Sequence, residues 1–330
     1  MSTTPRLPGR PLVSVIMPCR NGMPFVRHAV ERVLAQKAPL ELLFVNVDSS
    51  DGSLQEVSAI DDDRIRVIEA PTGTAPGPAR NLAASRAQGD VLAFADVADL
   101  WRPDKLERQL RLRSETGAAL VYSDCRVIDG AGRLLGVYLS RHRPKEGTIT
   151  KRLLKENFVR LSTVLVDRAA FECLGGFHED FHVACDYLFA IRLSLRASFA
   201  LDPEALVDYR IHDRNLTADF RRTYAENVRV FDLLLADEAA SLGATHLRRA
   251  RSLVLWRWAI REGMAGPANW TEACRRAGQA VRSAGLVTGV GTLAAALRGG
   301  LRNLPLRMRM DRARGTLVQA PSLRALTAAA

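Results

Sequence analysis

Lysine is missing from the last third of this chain. Residues 221–330 hold 18 arginines and 7 acidic side chains but no lysine, whereas residues 1–220 balance 29 basic against 29 acidic groups. The whole net charge of +11 therefore sits at the C-terminal end. Cysteine is also scarce. The five are odd in number, widely spaced and never in a CxxC pair, which argues against a zinc site or disulfide framework and fits a reducing compartment. No apolar run approaches the ~18 residues needed to span a bilayer. The opening MSTTPRLPGRP lacks the apolar core of a signal peptide. The expected location is the cytoplasm, with peripheral contact at the inner face of the plasma membrane left open.

An arginine-rich flank is either a solvated face over packed helices or a contact for a polyanion such as anionic lipid. Nucleic acid is not expected, because the region has no interleaved aromatics and no recognised binding motif. The 330 residues, 47% apolar and 25% charged, are enough for one large domain or two ordinary ones with a substantial core.

Apolar runs and helical spacing alternate from the start. Strands are predicted at Val13–Met17, Leu42–Val47, Arg64–Ile68 and Val91–Phe94, with helices over 24–36 and about 79–88 and another beginning at Asp104, where Glu107 three residues on completes a capping pattern. Strand, helix, strand at this spacing implies parallel βαβ units with helices covering the sheet. Residues 120–215 read as a mixed second half of the same domain. Helices are predicted again at 224–236, 247–262 and 270–284, followed by an apolar stretch, a basic run and an uninformative tail. The division is a flexible 1–10, a main domain over 11–219 and a basic helical region over 220–330.

Open sheets of this kind bind ligands beyond the carboxyl ends of their strands. Polar clusters fall at those ends: Arg20-Asn21, then Asn46, Asp48 and Asp51, then Asp96 and Asp99. Each is also ordinary turn chemistry. Composition and period alone support an α/β protein with a polar cleft, and no particular reaction.

The ordered stretches PLVSVIMPCRNG, LELLFVNVDSSDGS, ARNLAASRAQGDVLAFADVADLWRPDKLERQ, LGGFHEDFHVACDYLFAIRLSL and VDYRIH resemble family 2 glycosyltransferases of the GT-A fold. The resemblance runs from about residue 11 to 217. It implies a Rossmann-like, mostly parallel sheet flanked by helices, with a helical C-terminal extension. It also implies an inverting enzyme that moves a sugar from a nucleotide-diphosphate donor, most simply a UDP-sugar, to a hydroxyl of a glycan or lipid-linked acceptor. Polysaccharide, cell-envelope or other glycoconjugate assembly is the expected setting.

By the same resemblance Asp186 falls on the catalytic base, although the Glu that usually precedes it is Cys185 here. His212 falls on a histidine that completes the metal site in relatives. Pro18, Arg20, Asn21, Asn46, Asp48, Arg80, Asn81 and Asp96 fall on donor-binding segments. Mg²⁺ or Mn²⁺ is implied on Asp96, Asp99 and His212. Two positions depart from the family: Val47 stands where an aspartate grips the nucleobase, and Ala98 where the main metal ligand stands. Without that oxygen, either Asp96 and Asp99 hold the ion with water and diphosphate, or Arg side chains and backbone N–H groups stabilise the leaving group without metal. A third reading is a catalytically impaired chain that keeps the fold and acts as a nucleotide-sugar-binding or scaffolding partner.

Overall fold

The structure is a computed structural model that describes residues 11–138, 149–285, 292–297 and 310. The predicted flexible N-terminus, most of the apolar stretch after 284 and nearly all of the basic run and tail lie outside the described residues.

The first half alternates as the periodicity predicts, with one short unpredicted helix, α2: β1 (Val13–Cys19), α1 (Val26–Leu34), β2 (Leu40–Asn46), α2 (Ser53–Ser58), β3 (Ile65–Glu69), α3 (Pro76–Ala84) and β4 (Val91–Phe94). β1 pairs in parallel with β2 and with β4, and β2 with β3. Side chains alternate strictly across this sheet. Val13, Val15 and Met17 of β1 join Leu40, Leu42 and Phe44 of β2 and the buried residues of α1 on one face. Ile16, Leu43, Val45, Leu92 and Phe94 join Ala79 and Ala83 of α3 on the other. Burial on both faces is why these strands read as continuous apolar runs.

The second half is mixed. β5 (Leu100–Trp101), α4 (Lys105–Thr116), β6 (Leu120–Ile128), β7 (Leu134–Val137), α5 (Thr150–Leu153), β8 (Leu165–Asp167), α6 (Arg168–Cys173), α7 (Cys185–Ser194) and β9 (Phe199–Arg210) complete the sheet. Its order is β3-β2-β1-β4-β8-β6-β9-β5, with β7 paired to β6. β8 runs antiparallel to both β4 and β6, and β9 runs parallel to β6. The carboxyl ends of β1, β2, β4 and β9 consequently share one edge.

Beyond the sheet lie α8 (Phe220–Asp237), α9 (Ala239–Leu242), α10 (Ala244–Met264) and α11 (Trp270–Ala284). Phe231 and Leu234 of α8 and Leu255 and Trp258 of α10 belong to the same apolar cluster as α3 and α7. Many of the region's arginines are spent internally: Arg221 on Glu262, Arg222 on Glu226, Arg251 on Asp232, and Arg275 and Arg276 on Glu272. No helix among the described residues is long and apolar enough to cross a membrane.

Candidate active site

A cleft of about 680 Å³ opens at the shared edge. Its first wall is the turn after β1, lined by Pro18, Cys19, Arg20 and Asn21. This turn takes its shape from the loop after β2. The N–H groups of Asn21, Gly22 and Met23 donate to Ser49 Oγ, Ser53 Oγ and Asp51 Oδ2 at 3.1, 2.8 and 2.8 Å. In return Asn21 Oδ1 accepts from the Ser50 N–H at 2.9 Å. Asn21 sits at φ 57°, a conformation that Asn tolerates better than most residues. Gly22 is required by space, since a Cβ there would lie 2.9 Å from Cys19 Sγ. Asp51 also accepts from the N–H and Oγ of Ser53. Burial raises its pKa, but these hydrogen bonds more than offset that and hold it below the usual carboxylate value.

The floor is the turn after β4. The Asp99 N–H donates to the Asp96 carbonyl at 3.0 Å, so both aspartates of this turn line the cleft. Arg80 of α3, 6% exposed, donates from Nη2 to Asp96 Oδ1 at 3.0 Å. Arg210 at the end of β9 fixes the turn from behind. Its Nε donates to the Ala98 carbonyl at 3.0 Å and its backbone N–H to Asp99 Oδ1 at 2.9 Å. Asp99 is 3% exposed and its Oδ2 has no partner among the described residues. Burial first, and then the Asp96 charge, raises its pKa well above normal.

Asp186 stands in the first turn of α7 and also lines the cleft. Its Oδ1 is buried without a hydrogen-bond partner among the described residues. Burial raises its pKa to about 6 against the pull of Arg80 and Arg160. The Arg160 guanidinium packs over the Tyr138 and Tyr209 rings at 4.3 and 5.4 Å. Next to Arg160, Ser162 accepts from Trp101 Nε1 at 3.3 Å. Beneath Trp101 lies Lys105, fully buried, with its ammonium 3.9 Å from the ring centroid and 2.8 Å from Gln109 Oε1. Burial lowers that lysine's pKa to about 7.

His212 lines the cleft with its ring against Phe25, centroids 5.3 Å apart. Asn215 Oδ1 accepts the His212 backbone N–H at 2.7 Å, and Nδ2 donates to the Arg210 carbonyl at 3.3 Å. Those two contacts fix the amide's orientation, so Asn215 Nδ2 donates to His212 Nε2 at 3.3 Å.

Most of the expected site residues thus gather at one cleft: Pro18, Arg20, Asn21, Arg80, Asp96, Asp99, Asp186 and His212. Asn46, Asp48 and Asn81 are not among its lining. Asn46 bridges Glu69 and the Ser49 N–H, Asp48 sits exposed at φ 54°, and Asn81 clamps the Phe177 backbone by its N–H and carbonyl. Sequence reasoning missed Arg160, Arg214 and Arg222 in the lining and Arg210 behind it. Five arginines and two histidines face three carboxylates there.

The donor set is a poor match to a divalent cation. Among the described residues no group of three or more His, Cys, Asp or Glu side chains is arranged to hold one. Asp96 is paired with Arg80, Asp99 accepts the Arg210 N–H and has its pKa raised well above normal by burial, and His212 Nε2 accepts from Asn215 Nδ2.

The sequence model described as "Glycosyltransferase like family 2" matches residues 14–250. TuaG of Bacillus subtilis (strain 168), named for teichuronic acid biosynthesis, is 35% identical over 163 residues, 48% of this chain and 63% of the relative. WfgD of Escherichia coli, a UDP-Glc:alpha-D-GlcNAc-diphosphoundecaprenol beta-1,3-glucosyltransferase, is 32% identical over 158 residues, 48% of this chain and 60% of that protein. The chain therefore spans less than two thirds of these relatives. Among solved structures, S. aureus TarS in complex with UDP-GlcNAc superposes with a TM-score of 0.63 at 17% identity, covering 92% of this chain and 89% of that one. A Pyrobaculum calidifontis mannosyltransferase in complex with GDP-Man and Mn²⁺ gives 0.57 at 18% identity, covering 94% and 88%. These likenesses bear out the expected GT-A fold.

Proposed function

The chain belongs to glycosyltransferase family 2, and from that premise we propose that it transfers a sugar from a nucleotide-diphosphate donor to an acceptor hydroxyl with inversion. The observation that carries this reading is Asp186. It is a carboxylate with an unpartnered oxygen, a pKa near 6 and a place on the cleft wall. A general base is most effective when its pKa lies close to the working pH. The acceptor O–H gives its proton to Asp186 as its oxygen forms the new bond to the sugar's anomeric carbon. The bond to the diphosphate breaks on the opposite face, and the departing oxygen takes the electron pair.

Charge compensation for that leaving group falls to arginine. Arg80 is preorganised beside Asp96, and the guanidinium fork suits diphosphate oxygens. Arg20 and Asn21 contact the nucleoside end, where Val47 offers apolar surface in place of a base-gripping carboxylate. A UDP-sugar is the donor we favour, since TarS is seen in complex with UDP-GlcNAc and WfgD is named for UDP-Glc. The acceptor is a glycan or lipid-linked sugar in envelope or polysaccharide assembly, as the names of TuaG, WfgD and the Rhizobium meliloti succinoglycan protein ExoO suggest.

The test is a panel of nucleotide sugars with Mn²⁺ or with EDTA. Donor hydrolysis or transfer that persists in EDTA is expected; strict dependence on Mn²⁺ sinks the arginine assignment, and a silent panel sinks the enzymatic reading. Ala98 and the buried Asp99, already engaged by the Arg210 N–H, favour one other reading, a chain that binds nucleotide diphosphates without turning them over. Calorimetric UDP binding together with a silent panel would establish it.

A further inference from the structure

Helix α7 carries Asp186 but has no side-chain cap of its own. The turn that leads into the helix, residues 182–184, is instead anchored from a different helix, down to the N–H of the N-cap residue Ala184. Glu226 of α8, 6% exposed, points its carboxylate at the turn that precedes α7. Its Oε2 accepts from the N–H groups of His182, Val183 and Ala184 at 3.1, 2.7 and 3.0 Å. Its Oε1 accepts from Arg222 Nε at 3.2 Å. Burial raises the Glu226 pKa, but the three N–H groups and Arg222 more than offset it, so the group stays ionised. A carboxylate held by three converging main-chain N–H groups, the last of them at the N-cap of α7, is a strong and directional contact.

We propose that Glu226 is the positioning residue for the base: through the 182–184 main chain it fixes where Asp186 meets the acceptor. The inference rests on the assignment of Asp186 as base. Ala184 lies two residues before Asp186, so a shift of the clamp moves the carboxylate with it. The groups assigned to the donor, Arg20, Arg80 and Asp96, sit on other elements, the turns after β1 and β4 and helix α3. Arg222 links the clamp to the cleft, since it lines the cleft and holds Glu226 at once. The basic C-terminal helices are then a working part of the transferase site.

The experiment compares Glu226→Ala, Glu226→Gln, Asp186→Asn and the Glu226→Gln/Asp186→Asn double variant in the full chain, reading donor turnover with pH. For Glu226→Ala we expect kcat to fall ~10–100-fold, the scale of a base displaced by about 1 Å, with donor KM changed less than about threefold by this reasoning. The acid limb, set at Asp186 by burial with Arg80, Arg160, Asp96 and Cys185 around it, should move below pH 6 as the loosened turn admits water. Glu226→Gln keeps an acceptor oxygen and should lie between wild type and alanine, and it decides the matter if the alanine variant does not fold. In the Asp186→Asn background it should cost less than about twofold, because the two residues act as one unit. Unchanged kcat and acid limb in the Glu226 variants, or full additivity in the double variant, overturns the positioning role. If Asp186→Asn alone keeps its turnover, the base assignment fails, and that outcome is separate from anything seen at Glu226.

Discussion

Asp186→Asn should make the protein more stable and almost inactive at once. The carboxyl's pKa is raised from an ordinary 3.8 to about 6. At about 1.4 kcal/mol per pH unit, the ionised group costs the folded chain about 3 kcal/mol at neutral pH. The sign is clear. The folded state binds the proton more tightly, so this cost is absent below pH 3.8, builds between 3.8 and 6, and is complete above 6. An isosteric amide removes the charge but needs partners of its own, so a gain of ~1–2 kcal/mol, or ~2–4 °C in Tm, is the realistic expectation. Loss of the base should lower turnover ~10²–10⁴-fold. In the wild type, kcat/KM should fall about tenfold per pH unit below 6, the limb of a single ionising base. Nucleotide-diphosphate release over pH 4.5–9, with thermal melts at the same pH values, reads both effects. Turnover within tenfold of wild type, or a melting point several degrees lower, would refute the assignment of a strained, working carboxylate.

Lys105 offers an independent check on the packing behind the cleft. Its folded pKa of about 7 against an ordinary 10.5 means that the unfolded chain binds its proton more tightly, so stability should rise between pH 7 and 10. Lys105→Met should abolish ~3–4 kcal/mol of that rise and be the more stable form at pH 7; an unchanged slope in urea titrations would show that the ammonium is solvated. Asp51→Ala leaves the Met23 and Ser53 N–H groups without an acceptor and should cost ~1–3 kcal/mol while weakening nucleotide-diphosphate binding in calorimetry. Unaltered affinity would mean that the first turn does not carry the donor.

Three of the four leading strands, β1, β2 and β4, were legible because burial on both faces leaves an unbroken apolar run, while β3 is a half-exposed strand at the sheet's edge. Val91–Phe94 agrees with prediction to the residue, and β1 extends through Pro18 because β4 has stopped pairing by then. α3 begins three residues earlier than predicted, at Pro76, since proline at a helix's first position is favourable where a Gly/Pro run suggests a loop. The cleft residues at strand ends were legible for the same reason as the strands. Arg210 and Glu226 were not. Arg210 meets Ala98 at a separation of 112 residues and Glu226 meets Val183 at 43, and no local pattern marks an arginine or glutamate that answers a distant main chain. Only the fold brings such pairs together.

The turn after β1 owes its shape to contacts made on its own main chain by Ser49, Asp51 and Ser53 of the neighbouring loop. The exposed Arg20 side chain makes none of these contacts, whereas Cys19 and Val47 are buried and Cys19 Sγ sits against both Ser49 Oγ and Gly22. Form and selectivity are therefore written partly in different residues, and Arg20 can drift while the turn holds. A lineage could alter its nucleotide preference at position 20 without refolding the turn. A randomised library at that codon, screened for donor choice, would draw on the same freedom.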